Sequence, residues 1–128
     1  MILLMSLLSG CLGKKIAVSA QEMSQVISAQ EAHEIMNEAG DYIILDVRTQ
    51  SEYEEVSIRN AKLIPVDELE TRAAAEIPDK KTLILVYCRS GARSGRAAQL
   101  LSQMGYTRVF DFGGIINWPY ETVKGESQ

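Results

Sequence analysis

Two nearly uninterrupted apolar runs dominate the hydrophobic pattern of the chain, YIILDV at 42–47 and TLILVY at 82–87. A strand with one face in water alternates apolar and polar residues, so runs without this alternation indicate strands that are buried on both faces. Shorter apolar runs at 25–27, 62–66 and 107–112 predict three more strands. The pattern therefore predicts five short strands, two of them fully covered.

The segments between these strands carry the start and stop signals of helices. Ser28 stands three residues before Glu31, which is the spacing of a capping box, and Gly40 supplies a stop. Apolar residues recur at helical spacing in the stretch that precedes Gly105. The predicted helices cover residues 29–39, 67–76 and 93–104, and a glycine turn leads into a short helix within 113–120.

Strands that alternate with helices predict an α/β fold, in which a central parallel sheet has helices on both faces. The length of 128 residues suits one domain with its own core and leaves no room for a second ordinary one. Ligands of such sheets bind beyond the carboxyl ends of the strands. The residues that follow the strands are therefore the first candidates for chemistry.

The N-terminal stretch MILLMSLLSG is almost wholly apolar, and Cys11 follows it. It is too short to span a bilayer, which needs about 20 residues. It resembles the end of a bacterial lipoprotein signal peptide, because LSGC at 8–11 matches the pattern at which that signal is removed and the cysteine is lipidated. The resemblance predicts a signal at 1–10, a tether at 11–23 and a lipid anchor on Cys11, which would place the domain in the bacterial cell envelope, on the outer face of a membrane. The alternative is an apolar tail with a free Cys11 on a cytoplasmic protein.

Charge and cysteine content exclude several classes of function. The net charge of −4 provides no global basic field, so a nucleic-acid partner is not expected and any anion must bind at a local site. The two cysteines, Cys11 and Cys88, lie far apart and form no C-x-x-C pair. Neither a metal site nor a dithiol redox motif is therefore predicted.

One of these cysteines lies in a stretch suited to anion chemistry, YCRSGARSG at 87–95. Cys88 comes directly after a predicted strand and just before a predicted helix, where backbone N–H groups converge and the helix N-terminus adds partial positive charge. Arg89 and Arg93 add full charges, and glycines free the backbone. A thiol in such surroundings ionises readily, which predicts a thiolate nucleophile in an anion-binding loop. The alternative is a buried structural cysteine before an ordinary helix.

Three segments carry a family resemblance. They are CRSGARS at 88–94, DVRTQSEY at 46–53 and GYTRVFDFGGIINW at 105–118. Taken in this order, they resemble the active-site loop, the first signature and the closing signature of single-domain rhodaneses, which are sulfurtransferases. The resemblance covers about residues 24–124 and implies a single rhodanese-like domain over that range.

The resemblance implies a role for each position of the loop. Cys88 would accept a sulfane sulfur from thiosulfate or a related small anionic donor and pass it, as a persulfide, to a thiol or cyanide acceptor. The loop residues Arg89, Ser90, Gly91, Ala92 and Arg93 would bind the substrate. Their N–H groups would hold the terminal sulfur, and the two guanidinium groups would attract the donor. No cofactor or metal is implied, and a monomer is expected.

Two residues of the first signature are expected to support the loop. We predict that Asp46 braces the chain after its strand and that Arg48 forms an ion pair with a carboxylate such as Glu52. The sequence then departs from the family pattern in EYEEVSIRNAKLIP, where Val56-Ser57 stand in place of the common Gly-His and Asn60 lies in an altered turn pair. This departure affects the expected geometry of the turn at 56–60, but not that of the loop after Cys88.

Three other functions compete with sulfur transfer. The first is a persulfide carrier that serves a partner protein, for which turnover of thiosulfate is incidental. The second is a non-catalytic binding module of the same fold. A phosphatase or an arsenate reductase of this fold would need a C-x5-R loop. Here Arg93 follows Cys88 after four intervening residues, and the shorter loop favours sulfur over a tetrahedral phosphate.

Overall fold

The computed structural model describes residues 24–125. The predicted signal at 1–10, the tether at 11–23 and Cys11 lie outside the described residues. Five strands and four α-helices occur in the described part of the chain. They are β1 (Ser24–Val26), α1 (Ala29–Glu38), β2 (Ile43–Asp46), α2 (Gln50–Glu55), β3 (Lys62–Leu63), α3 (Leu69–Glu76), β4 (Ile84–Cys88), α4 (Ala92–Gln103) and β5 (Val109–Gly114). Between residues 24 and 125, no helix is both long and apolar enough to cross a membrane.

The strands form one sheet in the order β1-β5-β4-β2-β3, and every neighbouring pair is parallel. The order explains the two long apolar runs, because β2 and β4 lie inside the sheet and need apolar side chains on both faces. β3 lies at an edge and pairs for only two residues, Lys62 and Leu63, before Pro65. The predicted α/β class with a parallel sheet is confirmed.

Helices cover both faces of the sheet, and alternate residues of the central strands supply the two cores. Leu45 and Val86 point to one side, where they pack with α3 and α4. Ile44, Leu85 and Tyr87 point to the other side, where they pack with α1 and the segment around residue 118. The period of two along β4 thus places Cys88 with the α4 layer and its neighbour Tyr87 with the α1 layer.

The helix α2 was not predicted. Its six residues are too few to show an apolar period, and none of them is buried. A local signal was nevertheless present, because Thr49 and Glu52 form a capping box: the Thr49 Oγ1 accepts from the N–H of Glu52, and a Glu52 carboxylate oxygen accepts from the N–H of Thr49. The predicted helix at 67–76 begins as a 3-10 turn, Val66–Glu68, that continues into α3.

The turn that departs from the family pattern is formed without a glycine. Asn60 has φ of 70°, in the left-handed region that asparagine tolerates better than most residues. Ser57, which stands where histidine is common, is fully buried and pairs with Val123 through two backbone hydrogen bonds of 2.8 and 2.9 Å. The C-terminal segment therefore fastens this turn to the domain.

Candidate active site

Cys88 is the last residue of β4, at the carboxyl edge of the sheet, and its loop runs directly into α4. Gly91 precedes the helix with φ of 114°, a conformation that L-residues rarely adopt, so glycine is required there. Ala92 begins α4, while Arg89 and Ser90 are exposed and form the solvent-facing side of the loop, which we call its mouth. The five residues predicted to bind the substrate therefore run from the end of β4 into the first turn of α4.

Hydrogen bonds converge on the Cys88 sulfur. The N–H of Gly91 donates to Sγ at 3.0 Å, and Sγ lies 3.6 Å from the Ser94 hydroxyl oxygen. Burial raises the pKa of the Cys88 thiol, but the Ser94 hydroxyl and the N–H groups of Ser94, Gly91 and Ser90 outweigh this effect, and the net pKa lies below its ordinary value. The loop thus favours a thiolate on a side chain that is only 1% exposed.

Ser94 is a functional candidate that the sequence analysis did not single out. It lies in the first turn of α4, is fully buried, and its hydroxyl also lies within hydrogen-bonding distance of the carbonyl oxygens of Gly91 at 3.1 Å and Gly113 at 3.4 Å. The signal was its spacing, because a serine three residues beyond the N-cap faces back toward the end of the preceding strand. Ser94 connects the thiol, the loop and β5.

The paired glycines at 113–114 are explained by the approach of β5 to the loop. The register between β4 and β5 shifts after Val86, and Cys88 pairs with Gly114. A Cβ atom on Gly114 would lie 2.2 Å from the carbonyl oxygen of Arg89 and 2.6 Å from the Cα of Ser90. Gly113 has φ of 87° instead. One glycine is required for space and the other for conformation.

A buried charged network lies at the carboxyl ends of β2 and β4, next to the start of the loop. The Arg48 guanidinium donates to both carboxylate oxygens of Asp46, with a shortest distance of 2.6 Å, and to the carbonyl of Val56 at 2.7 Å. The Tyr87 hydroxyl donates to Asp46 at 2.7 Å and accepts from the N–H of Ile58 at 3.1 Å. Asp46 also accepts from the N–H of Arg48 at 2.9 Å, which braces the chain after β2. Arg48 forms an ion pair with a carboxylate, but the partner is the nearer, buried Asp46 and not Glu52, which was suggested as an example.

Glu52 pairs with the last residue of the loop instead. Two guanidinium nitrogens of Arg93 donate to the two carboxylate oxygens of Glu52 at 2.8 and 2.9 Å. The hydrogen bonds from Arg93 are the main reason that the pKa of Glu52 falls to about 2. Arg93 was predicted to attract the donor, and the structure shows that Glu52 already neutralises its charge. Within residues 24–125, Arg89 has no ion-pair partner.

A groove of about 430 Å³ lies beside the loop. Its charged lining residues are two arginines and two glutamates, and its apolar surface comes mainly from the segment after β5: Arg48, Arg89, Glu52 and Glu55, with Ile115, Trp118 and Tyr120. The groove is tied to the loop, because the N–H of Ile116 donates to the Arg89 carbonyl at 3.2 Å. A small thiol or anion could therefore occupy a space that adjoins Arg89, the residue next to Cys88.

In the described range, no three His, Cys, Asp or Glu side chains come together in a way that could hold a metal ion.

Comparison with known proteins gives consistent matches over the described domain. The family model for the rhodanese-like domain matches residues 28–119. The thiosulfate sulfurtransferase PspE of Escherichia coli is 40% identical over 81 residues, which cover 63% of this chain and 78% of that protein. The thiosulfate sulfurtransferase GlpE of Coxiella burnetii is 37% identical over 97 residues, which cover 75% of this chain and 88% of that protein. A solved structure, described as a rhodanese with anions from E. coli, matches with a TM-score of 0.62 and 38% identity over 66% of this chain and 99% of that one.

Proposed function

Because this chain belongs to the rhodanese family, we propose that it moves a sulfane sulfur from thiosulfate or a related anionic donor to a thiol or cyanide acceptor through a persulfide on Cys88. The observation that supports this most directly is the thiol environment. A buried sulfur receives the Gly91 N–H at 3.0 Å and has a pKa below its ordinary value. An ionised sulfur that backbone N–H groups stabilise is the nucleophile that the reaction needs.

In the first half-reaction, the Cys88 thiolate attacks the outer sulfur of thiosulfate. A bond forms between Sγ and that sulfur, the sulfur–sulfur bond of thiosulfate breaks, and sulfite leaves with the electron pair. The persulfide keeps one negative charge on its outer sulfur. A thiolate and a dianion repel each other, so the exposed guanidinium of Arg89 and the loop N–H groups lower the barrier by reducing this repulsion.

In the second half-reaction, the acceptor attacks the outer sulfur of the persulfide. Cyanide leaves as thiocyanate, or a thiolate leaves as a new persulfide, and the electron pair of the broken bond returns to Cys88. Cys88 is the only cysteine between residues 24 and 125. The described domain therefore holds no second thiol to discharge the persulfide, and an external acceptor must do so.

The experiment that tests this proposal is intact mass measurement after exposure to thiosulfate. The wild-type protein should gain the mass of one sulfur atom on Cys88 and lose it again when cyanide is added, with release of thiocyanate. The Cys88→Ser variant should show neither change while unfolding at the wild-type temperature. Persulfide formation by this variant at the wild-type rate would disprove the assignment of Cys88.

A phosphatase function has less support. The loop has one residue fewer than that chemistry uses, and Arg93, which would have to grip a tetrahedral anion, is held by Glu52. We expect no turnover of an aryl phosphate by the wild-type protein. A persulfide carrier that serves a protein partner would show the same mass gain with thiosulfate, but slow discharge to cyanide and small thiols. The rate of discharge separates these two uses of Cys88.

A further inference from the structure

The ion pair between Glu52 and Arg93 joins two helices across the mouth of the loop. Arg93 is the second residue of α4, and Glu52 is the third residue of α2, a helix whose residues are otherwise exposed or half-buried. Glu52 is fixed a second time, because one of its oxygens accepts from the N–H and the hydroxyl of Thr49 at 2.9 and 3.0 Å. Its carboxylate is thus held on both sides, and Arg93 meets it in a bidentate geometry.

This contact determines how much positive charge faces an incoming molecule. Arg48 is neutralised by Asp46 in the interior, and Arg93 is neutralised by Glu52 at the surface. Among these three arginines of the described range, Arg89 keeps an unpaired guanidinium at the mouth. Arg93 nevertheless lies close enough to Cys88 to be affected by its charge: the hydrogen bonds that Arg93 donates to Glu52 are the main cause of its raised pKa, and the negative charge of the Cys88 thiolate is a smaller one.

We infer that Glu52 is a specificity-determining residue, which limits the attraction of the loop for anions by holding Arg93 in an ion pair and leaving Arg89 as the cation that the donor meets. The inference rests on the proposed function for its biological meaning. Physically, it states only how strongly the charges near Cys88 attract or repel an approaching reagent. This effect can be measured without any sulfur transfer.

The test compares two alkylating reagents of nearly equal size, anionic iodoacetate and neutral iodoacetamide, and follows modification of Cys88 in the full chain by peptide mass. The ratio of the two rates reports the charge at the mouth and cancels changes in thiol reactivity. The Glu52→Gln variant frees Arg93 and should raise the iodoacetate-to-iodoacetamide ratio about fivefold. Glutamine is the matched choice, because it also completes a capping box and preserves the start of α2.

A double variant separates the effect of charge from general disruption. Arg93→Gln leaves the Glu52 carboxylate uncompensated and should lower the ratio about fivefold, whereas the double variant should return it to within about twofold of wild type. Glu55→Gln is the charge-matched control, since Glu55 lies on the same helix and lines the same groove, whereas the ion pair of Arg93 is with Glu52. Its effect on the ratio should be small, and about 1 M salt should compress all differences.

The inference is overturned if Glu52→Gln changes the ratio no more than Glu55→Gln does, or if the double variant departs from wild type further than either single variant. The proposed function is judged separately by persulfide formation from thiosulfate. A wild-type protein that forms no persulfide but shows the predicted alkylation ratios would contradict sulfur transfer and support charge control by Glu52. A wild-type protein that forms persulfide, with ratios insensitive to Glu52, would support sulfur transfer and contradict charge control by Glu52.

Discussion

Replacement of Gly114 by alanine should displace the loop that follows Cys88, because the added methyl group has no space. Its Cβ would lie 2.2 Å from the Arg89 carbonyl oxygen, 2.6 Å from the Ser90 Cα and 2.7 Å from the Arg89 carbonyl carbon. All three atoms belong to the backbone, so a side-chain rotation cannot relieve the contact. The φ of Gly114 is −114°, which alanine adopts freely, and the whole effect therefore comes from overlap.

The magnitude follows from the distance that the loop must move. Ordinary van der Waals contact begins near 3.4 Å, so the Arg89 carbonyl would have to retreat by about 1 Å. Overpacking of this kind costs about 2 kcal/mol of unfolding free energy, which lowers the Tm by about 10 °C in a domain of this size. A displacement of about 1 Å at the nucleophile reduces the rate of the chemical step about a hundredfold.

The assay is the rate of persulfide formation on Cys88, measured well below the unfolding temperature, together with thermal unfolding. Gly40→Ala is the matched control, because a Cβ at Gly40 meets no atom within 4 Å, and it should change stability by less than about 0.5 kcal/mol. A Gly114→Ala protein that unfolds at the wild-type temperature and forms persulfide at the wild-type rate would refute the argument that the loop is held against β5.

The remaining predictions concern the thiol, its support and the N-terminus. Ser94→Ala removes the hydroxyl that lies 3.6 Å from the Cys88 sulfur and helps to lower its pKa. The pH midpoint of Cys88 alkylation by iodoacetamide should therefore rise, and the alkylation rate at neutral pH should fall about fivefold. An unchanged midpoint would contradict the role of Ser94. Tyr87→Phe leaves the buried Ile58 N–H without its acceptor and should lower the free energy of unfolding, measured by denaturant titration, by about 2 kcal/mol. A decrease below about 0.5 kcal/mol would show that the hydroxyl has no structural role. Cys11→Ser should release the protein from bacterial membranes in a fractionation experiment, and wild-type protein found wholly in the cytosol with its first methionine intact would exclude the lipid anchor.

The strands could be predicted from the sequence because their signal is local. The runs at 42–47 and 82–87 consist of side chains that only a doubly covered strand can bury, and they appear as β2 and β4. The capping box at Ser28 likewise fixed the start of α1 within one residue. The position of Cys88 between β4 and α4 could be predicted for the same reason, since the strand, the thiol and the glycines of the loop are adjacent in sequence.

The partners of the arginines could not be predicted, because they depend on how distant segments meet. Glu52 and Arg93 are 41 residues apart, as are Asp46 and Tyr87, and no local pattern selects one carboxylate over another. Arg48 has Asp46 two residues away, but their pairing needs the chain to bend after β2, which the sequence pattern does not indicate. The helix α2 was missed because so few residues show no periodicity, although its cap was visible.

The depth of Cys88 limits which molecules can reach its sulfur. With 1% of its surface exposed, the bare cysteine is shielded from large reagents, including the cysteines of other protein molecules. In the proposed function, a sulfur bound to Cys88 would extend the side chain by one sulfur–sulfur bond, about 2 Å, and the reactive atom would then be the outer sulfur and not the buried Sγ. An acceptor too bulky to reach Sγ would therefore distinguish the loaded domain from the empty one. Two empty molecules, for the same reason, are protected from joining through a disulfide.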